Sequence, residues 1–320
     1  MSPAGGRLLA RRAGSSAVAL LAATVVIFGM DRALRPENYP GERFWPGFTG
    51  ELRRVLLHFD LGEALLPAHP AIAHLWAQGR GADLLLLGGA FVLGAVGGSL
   101  TGVWCGRHAG RLRDRVVETA ASVLLCVPVY VSALGLLLLF NQDIGRLVRI
   151  PWLFDVDPRA FDAPLTHPWE LLHGYALPWL VLAAPLWAVC VRATARMTIE
   201  ELGTDHVRTA IAKGVREARV LRRHAAPPAY ATASQAVWGF VPLFVINGML
   251  VEELCNVPGF LRRLRPAAAA DRVTETLDVP MIQAISLWTV VLVVALAFVC
   301  DLVLAAIDPR ARTSATGAGS

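Results

Sequence analysis

Lysine is almost missing. Of the 30 basic residues in 320, Lys213 is the one lysine. A phosphate-cradling loop of the G-x-x-x-x-G-K-[ST] kind needs its lysine directly after a glycine, and Lys213 follows Ala212. The chain therefore does not hydrolyse ATP by that route. Cysteine is scarce and without pattern: Cys105, Cys126, Cys190, Cys255 and Cys300 show no ligand spacing, and all but Cys255 fall in or at the ends of apolar runs, as buried free thiols do. His58, His69, His74, His167 and His173 lack the i, i+4 pairing of helical metal ligands, so no metal is expected. A membrane-bound enzyme would need a clustered acid, base or metal set, and none stands out. Charge as a whole is low, 17% against 55% hydrophobic, which excludes an ordinary soluble domain.

What is present is a series of long apolar runs. The first is Ala13 to Met30, behind Arg7, Arg11 and Arg12; the same pattern describes a secretory signal peptide, but a small-x-small site is poorly placed after it and further spans follow. Residues 31–80 read as an extracytoplasmic loop with no run of spanning length. Five more helices are expected at about 84–106, 116–140 with a kink at Pro128, 174–191, 235–251 and 281–304, the first of them long enough for about 30 Å of hydrocarbon. Trp152, Trp169 and Trp179 suit a membrane interface. The fold class is an all-α polytopic membrane protein with six transmembrane helices. Four arginines crowd into residues 107–115, and basic density is higher on the side of the 192–233 loop; that side, with the 1–12 and 308–320 termini, is expected to be cytoplasmic.

The 192–233 loop is the longest charged segment between spans, and its punctuation predicts helix to Gly203, a short helix from Thr204 to Lys213, and a third run from Gly214 to Pro227 and Pro228. Thr204 or Asp205 is placed to cap the short helix, Val207, Ala210 and Ile211 fall on one face, and Lys213 sits where its charge favours a helix C-terminus. A helix this short is marginal alone, so something must dock against it. Two readings fit: a partner-docking segment, or an interfacial helix on lipid. Arg216, Arg219 and Arg223 share a face suited to anionic headgroups.

The residues Leu202, Gly203, Thr204, Asp205, His206, Val207, Arg208, Thr209, Ala210, Ile211, Ala212, Lys213 and Gly214, followed by His224, Ala225 and Ala226, resemble the EAA loop of inner-membrane permease subunits of ABC importers of the dipeptide, oligopeptide and nickel type. His206 stands for the usual tyrosine, Ile211 for the usual arginine, and Pro227 with Pro228 for arg-asn. Further marks resemble the same family: His58 to Gly62 before the second span, Glu252 to Gly259, Asp278 to Pro280, and Asp301 to Arg312. Phe260 and Leu261 replace a leu-gly pair, and Pro266 to Glu275 is longer than the pattern. Together these cover roughly residues 50–312.

The resemblance implies the type I ABC importer permease fold, with an 81–307 core. It also implies that Thr204 to Gly214 form the coupling helix that docks on a cytoplasmic ATPase. The expected partners are a second homologous permease, two ABC ATPase subunits, an extracytoplasmic solute-binding protein and membrane lipid, with no nucleic acid. The chain itself binds no cofactor; ATP and Mg belong on the ATPase. The expected location is the bacterial cytoplasmic membrane, and the solute a peptide or another small polar molecule. Asn247, mid-span in the fifth helix, either satisfies itself against a neighbouring helix or lines the substrate path. An ion-coupled secondary transporter or channel is the rival class. It would place ionisable residues deep in the spans, whereas Glu118, Glu252 and Asp301 lie near span ends.

Overall fold

A computed structural model describes residues 3–34, 43–58, 60–64, 71–140, 168–268 and 277–307. Among these, α-helices are α1 (Pro3–Leu34), α2 (Phe44–His58), α3 (Ile72–Arg107), α4 (Leu112–Cys126), α5 (Val129–Phe140), α6 (Pro168–Leu202), α7 (Asp205–Ala212), α8 (Glu217–Val220), α9 (Ala226–Leu254), α10 (Leu264–Ala268) and α11 (Val279–Ile307). Short π and 3-10 turns join some of them, and the Glu63–Ala71 bridge is the β pairing among the described residues. Five helical segments are long and apolar enough to cross a membrane, and a sixth is gained if the bent α4–α5 pair counts as one span. His69, Trp152, His167, the 308–320 tail and most of the stretch from Pro266 to Glu275 lie outside the described residues.

The helix ends differ from expectation in a consistent direction. Regular structure outlasts the apolar run, because a helix satisfies its own backbone whether its side chains meet lipid or water. The helix that contains the second span begins at Ile72, ahead of the apolar run from Leu84, and so includes Arg80 and Asp83 in its first turns. The fourth runs over Pro168–Leu202, the fifth over Ala226–Leu254 and the sixth over Val279–Ile307. Residues 31–80 are more than a loop: they contain α2, which is too short and too charged to span, together with the first turns of α3. The third span departs most. Pro128 forces Val127 out of the helical region, to φ −86° and ψ 121°, and the chain turns by 102° between α4 and α5. The expected kink is a break.

The chain divides into two units. One comprises residues 13–84 and 257–295. There α2 lays Phe48 and Val55 against Phe28 of α1, and Arg32 pairs with Glu51 at 3.4 Å with both side chains largely buried.

The other unit holds residues 1–12, 85–256 and 296–320; within it α6 packs extensively against α9, and α3 approaches α6 closely. Gly94, Gly98, Gly102 and Gly106 recur every four residues along α3, and each lies against the α6 backbone. A Cβ on Gly98 would come within 2.5 Å of the Trp187 carbonyl oxygen, one on Gly102 within 2.5 Å of that of Val191, and one on Gly106 within 2.8 Å of that of Ala195. Partners advance along α6 as the glycines advance along α3, so the two helices run parallel. Small residues permit this approach, which maximises dispersion contact where lipid offers no hydrophobic drive. Trp179 belongs to the same seam: its indole N–H donates to the Leu85 carbonyl at 2.9 Å and its ring covers Gly89. Trp179 is half-buried in this seam, whereas Trp169 is 65% exposed.

The third helical run does not stop at the prolines. Pro227 and Pro228 occupy the first turn of α9, where a missing N–H costs least. Upstream, the Ala226 N–H reaches back to Leu221 and the turn Leu221–Ala225 is a π-helix. In a plain α-turn the Pro227 ring would meet the Arg223 carbonyl four residues before it, and the wider π-turn eases that clash.

Candidate coupling site

The segment between α6 and α9 is built by two glycines. At Gly203 the chain leaves α6, with its N–H shared between the carbonyls of Ile199 and Glu200. Thr204 follows in an extended conformation at the N-cap of α7. Neither Thr204 nor Asp205 caps the helix with its side chain. The Thr204 hydroxyl instead donates to the Glu201 carbonyl at 2.6 Å, because the last carbonyls of α6 also need donors. At the far end Lys213 is the C-cap, Gly214 takes φ +79°, its N–H donates to Ile211, and the Val215 N–H donates to Ala210. These paired bonds around a left-handed glycine are a Schellman closure.

Eight residues of α7 are thus held between two fixed exits. Val207 is fully buried and anchors the inner face, with Ala210 half-buried beside it. Ile211, one turn beyond Val207 on the same side of the helix, is nevertheless 49% exposed, and His206, Arg208, Thr209 and Ala212 are exposed as well. Arg208 and Asp205, 3.7 Å apart, are both solvent-exposed, so their pairing contributes little stability. The outward surface of α7 therefore combines an aliphatic side chain with mixed charge.

Behind α7 lies a cavity of about 630 Å³ lined by Met197, Glu201, His206, Arg223, His224 and residues of α9. His206 Nε2 stands 3.8 Å from Glu201 Oε2, and its ring is 6.0 Å from that of His224. The π-turn sets Arg223 and His224 into this wall. Arg107 at the end of α3 donates to Glu217 at 3.1 Å, tying α8 to the α3–α6 pair. Arg216 and Arg219 are exposed.

The structure thus gathers Thr204 to Gly214 into one module with His224, part of the same motif, with Arg223, which the sequence placed on a headgroup-facing row, and with Glu201, which no motif assigned. Asn247 stands apart, half-buried on α9 and about 33 Å along the helix from the π-turn at 1.5 Å per residue. Two further features were missed. The glycine ladder was legible as a four-residue repeat. The buried Asp83 was not, since its partners come from distant stretches of the chain. Among the described residues, no cluster of three or more histidine, cysteine or acidic side chains is arranged to hold a metal ion.

Residues 98–313 match the family described as binding-protein-dependent transport system inner membrane component. A Brucella ovis chain named a peptide permease protein is 28% identical over 255 residues, covering 80% of this chain and 76% of its own. The oligopeptide transport system permease protein OppB of Mycobacterium bovis is 29% identical over 238 residues, covering 73% and 71%. A peptide transport system permease of Brucella abortus is 29% identical over 263 residues, covering 80% and 77%. With its spanning helices and with two thirds of its length inside the family match, the chain belongs to the inner-membrane components of binding-protein-dependent transport systems, as a multi-pass membrane permease of the ABC importer class.

Proposed function

We propose that this permease carries peptides, working as one of two permease subunits above two cytoplasmic ATPases and receiving its solute from an extracytoplasmic binding protein. The names of its relatives support the peptide cargo. The observation that carries the mechanism is α7: a helix anchored by the buried Val207, closed at Gly214, and leaving Ile211 exposed one turn further on. An exposed aliphatic on a short charged helix is suited to a groove in a partner.

ATP and Mg²⁺ belong on the ATPases, and this chain is non-catalytic. ATP binding draws the ATPases together, α7 travels with its docking groove, and the differential contacts in the two states move the spans between inward-open and outward-open forms. Both termini and the α6–α9 segment face the cytoplasm in this reading, and the arginines of the 107–115 turn favour that orientation.

Reconstitution tests the proposal. The four-subunit complex with its binding protein should take up peptides only with ATP, and Ile211→Asp should lose the ATPase subunits on purification while remaining in the membrane. Uptake driven by a proton or sodium gradient without any ATPase would instead establish the ion-coupled transporter.

A further inference from the structure

The loop that continues directly from α9 is fastened to two helices through a buried carboxylate. Asp83 is fully buried. One of its oxygens accepts the backbone N–H of Phe260 at 2.7 Å, and the other accepts the indole N–H of Trp288 at 2.6 Å. It thereby joins α3, the loop and α11. One turn earlier on α3, Gly79 lies against the same loop so closely that a Cβ would stand 2.5 Å from the Phe260 nitrogen. Val257, Phe260 and Leu261 are fully buried around this junction. Trp288 packs edge-on against Trp76 at 5.4 Å, and the Arg80 guanidinium covers the other ring of the pair at 4.3 Å.

Two short charge-assisted bonds to a group with no solvent access form a specific and costly arrangement. An apolar residue in its place would leave two buried N–H donors without an acceptor. The carboxylate adds a fixed register, because its acceptors satisfy two donors on separate elements and no sliding of the loop preserves both.

We propose that Asp83 is a positioning residue for transport: it bolts the Val257–Phe260 loop to α3 and α11, so that displacement arriving along α9 is delivered to those helices and not lost in the loop. The proposal rests on the importer reading above. It assigns to one side chain the outer end of the path that begins at α7.

The test uses the complete complex in proteoliposomes and two readouts. Asp83→Asn keeps an acceptor for one donor but turns an amide N–H₂ towards the other. Hydrogen exchange of the 257–263 segment, which requires no transport, should become about tenfold to a hundredfold faster, the effect of one lost hydrogen bond to a charged group. Peptide delivered per ATP hydrolysed should fall several-fold while ATP hydrolysis persists. Removing the orphaned donor in Asp83→Asn with Trp288→Phe should restore part of both, a non-additivity that general destabilisation does not produce. Trp288→Phe alone, which leaves the Phe260 bond in place, supplies a milder variant if Asp83→Asn accumulates poorly. Unchanged exchange would overturn the bolt. Faster exchange with an unchanged peptide-to-ATP ratio would reduce Asp83 to a structural residue and overturn the transport role. Failure of the wild-type complex to couple ATP to uptake would instead strike the importer reading, with the exchange result still judging the bolt.

Discussion

Gly214 is where a single atom decides the geometry of the coupling segment. Its φ of +79° lies in the left-handed region, yet a Cβ there would meet nothing within 4 Å. The cost of substitution is thus conformational and not steric, roughly 1–2 kcal/mol for an ordinary residue and more for a β-branched one. Gly214→Val should leave the permease in the membrane at near-normal amounts but reduce ATPase co-purification. Gly214→Asn, which visits this region more readily, should retain most of it. Equal behaviour of the two variants would show that the Schellman closure does not set the angle of α7. Gly102 is the opposite case: an added methyl meets Thr194 Oγ1 and the Val191 carbonyl. Gly102→Ala should destabilise by about 1–3 kcal/mol in detergent melting curves, and a second change of Thr194→Ala should not rescue it, because the Val191 backbone still obstructs.

At the scale of elements, the long apolar helices and the short helix between two glycines were legible, because hydropathy and glycine punctuation are local signals. What was not legible depended on distant groups or on hydrogen bonds that no pattern displays. Spacing puts Val207, Ala210 and Ile211 on one face, but how deeply that face is covered depends on distant groups: Val207 is buried and Ile211, near the end of α7, is 49% exposed. Pro227 and Pro228 read as a stop, yet a π-turn upstream lets them begin α9. That turn yields an expectation of its own. Pro227→Ala with Pro228→Ala returns two N–H donors and removes the ring clash with the carbonyls four residues back that the wider turn relieves. The Leu221–Ala225 turn should relax towards α, rotating Arg223 and His224 away from His206 and Glu201. Thermal stability should hold or rise while ATP-driven uptake falls; unchanged uptake would show that the cavity behind α7 is not needed for coupling.

For the whole molecule, orientation is the property most open to direct measurement. Cys255 makes a poor reporter, because burial pushes its thiol up to about 12. At pH 8 only roughly one part in ten thousand would be thiolate, the reactive form. Trp45 on α2, 70% exposed, and Leu112 at the start of α4, 77% exposed, are better sites. In whole cells an impermeant thiol reagent should label Trp45→Cys and spare Leu112→Cys. The reverse pattern would invert the topology and place α7 on the wrong side of the membrane for any ATPase.

The glycine ladder has a mechanical consequence. Its period on α3 matches the period of the residues it meets on α6, so a shift of one helix along the other by four residues, about 6 Å, brings each glycine over an equivalent position. Any smaller displacement drives side chains into backbone. Sliding between these helices is therefore notched like a detent and not continuous. Because α6 leads straight into Gly203 and α7, force applied at the coupling helix meets a stiff rod that yields in whole turns or not at all.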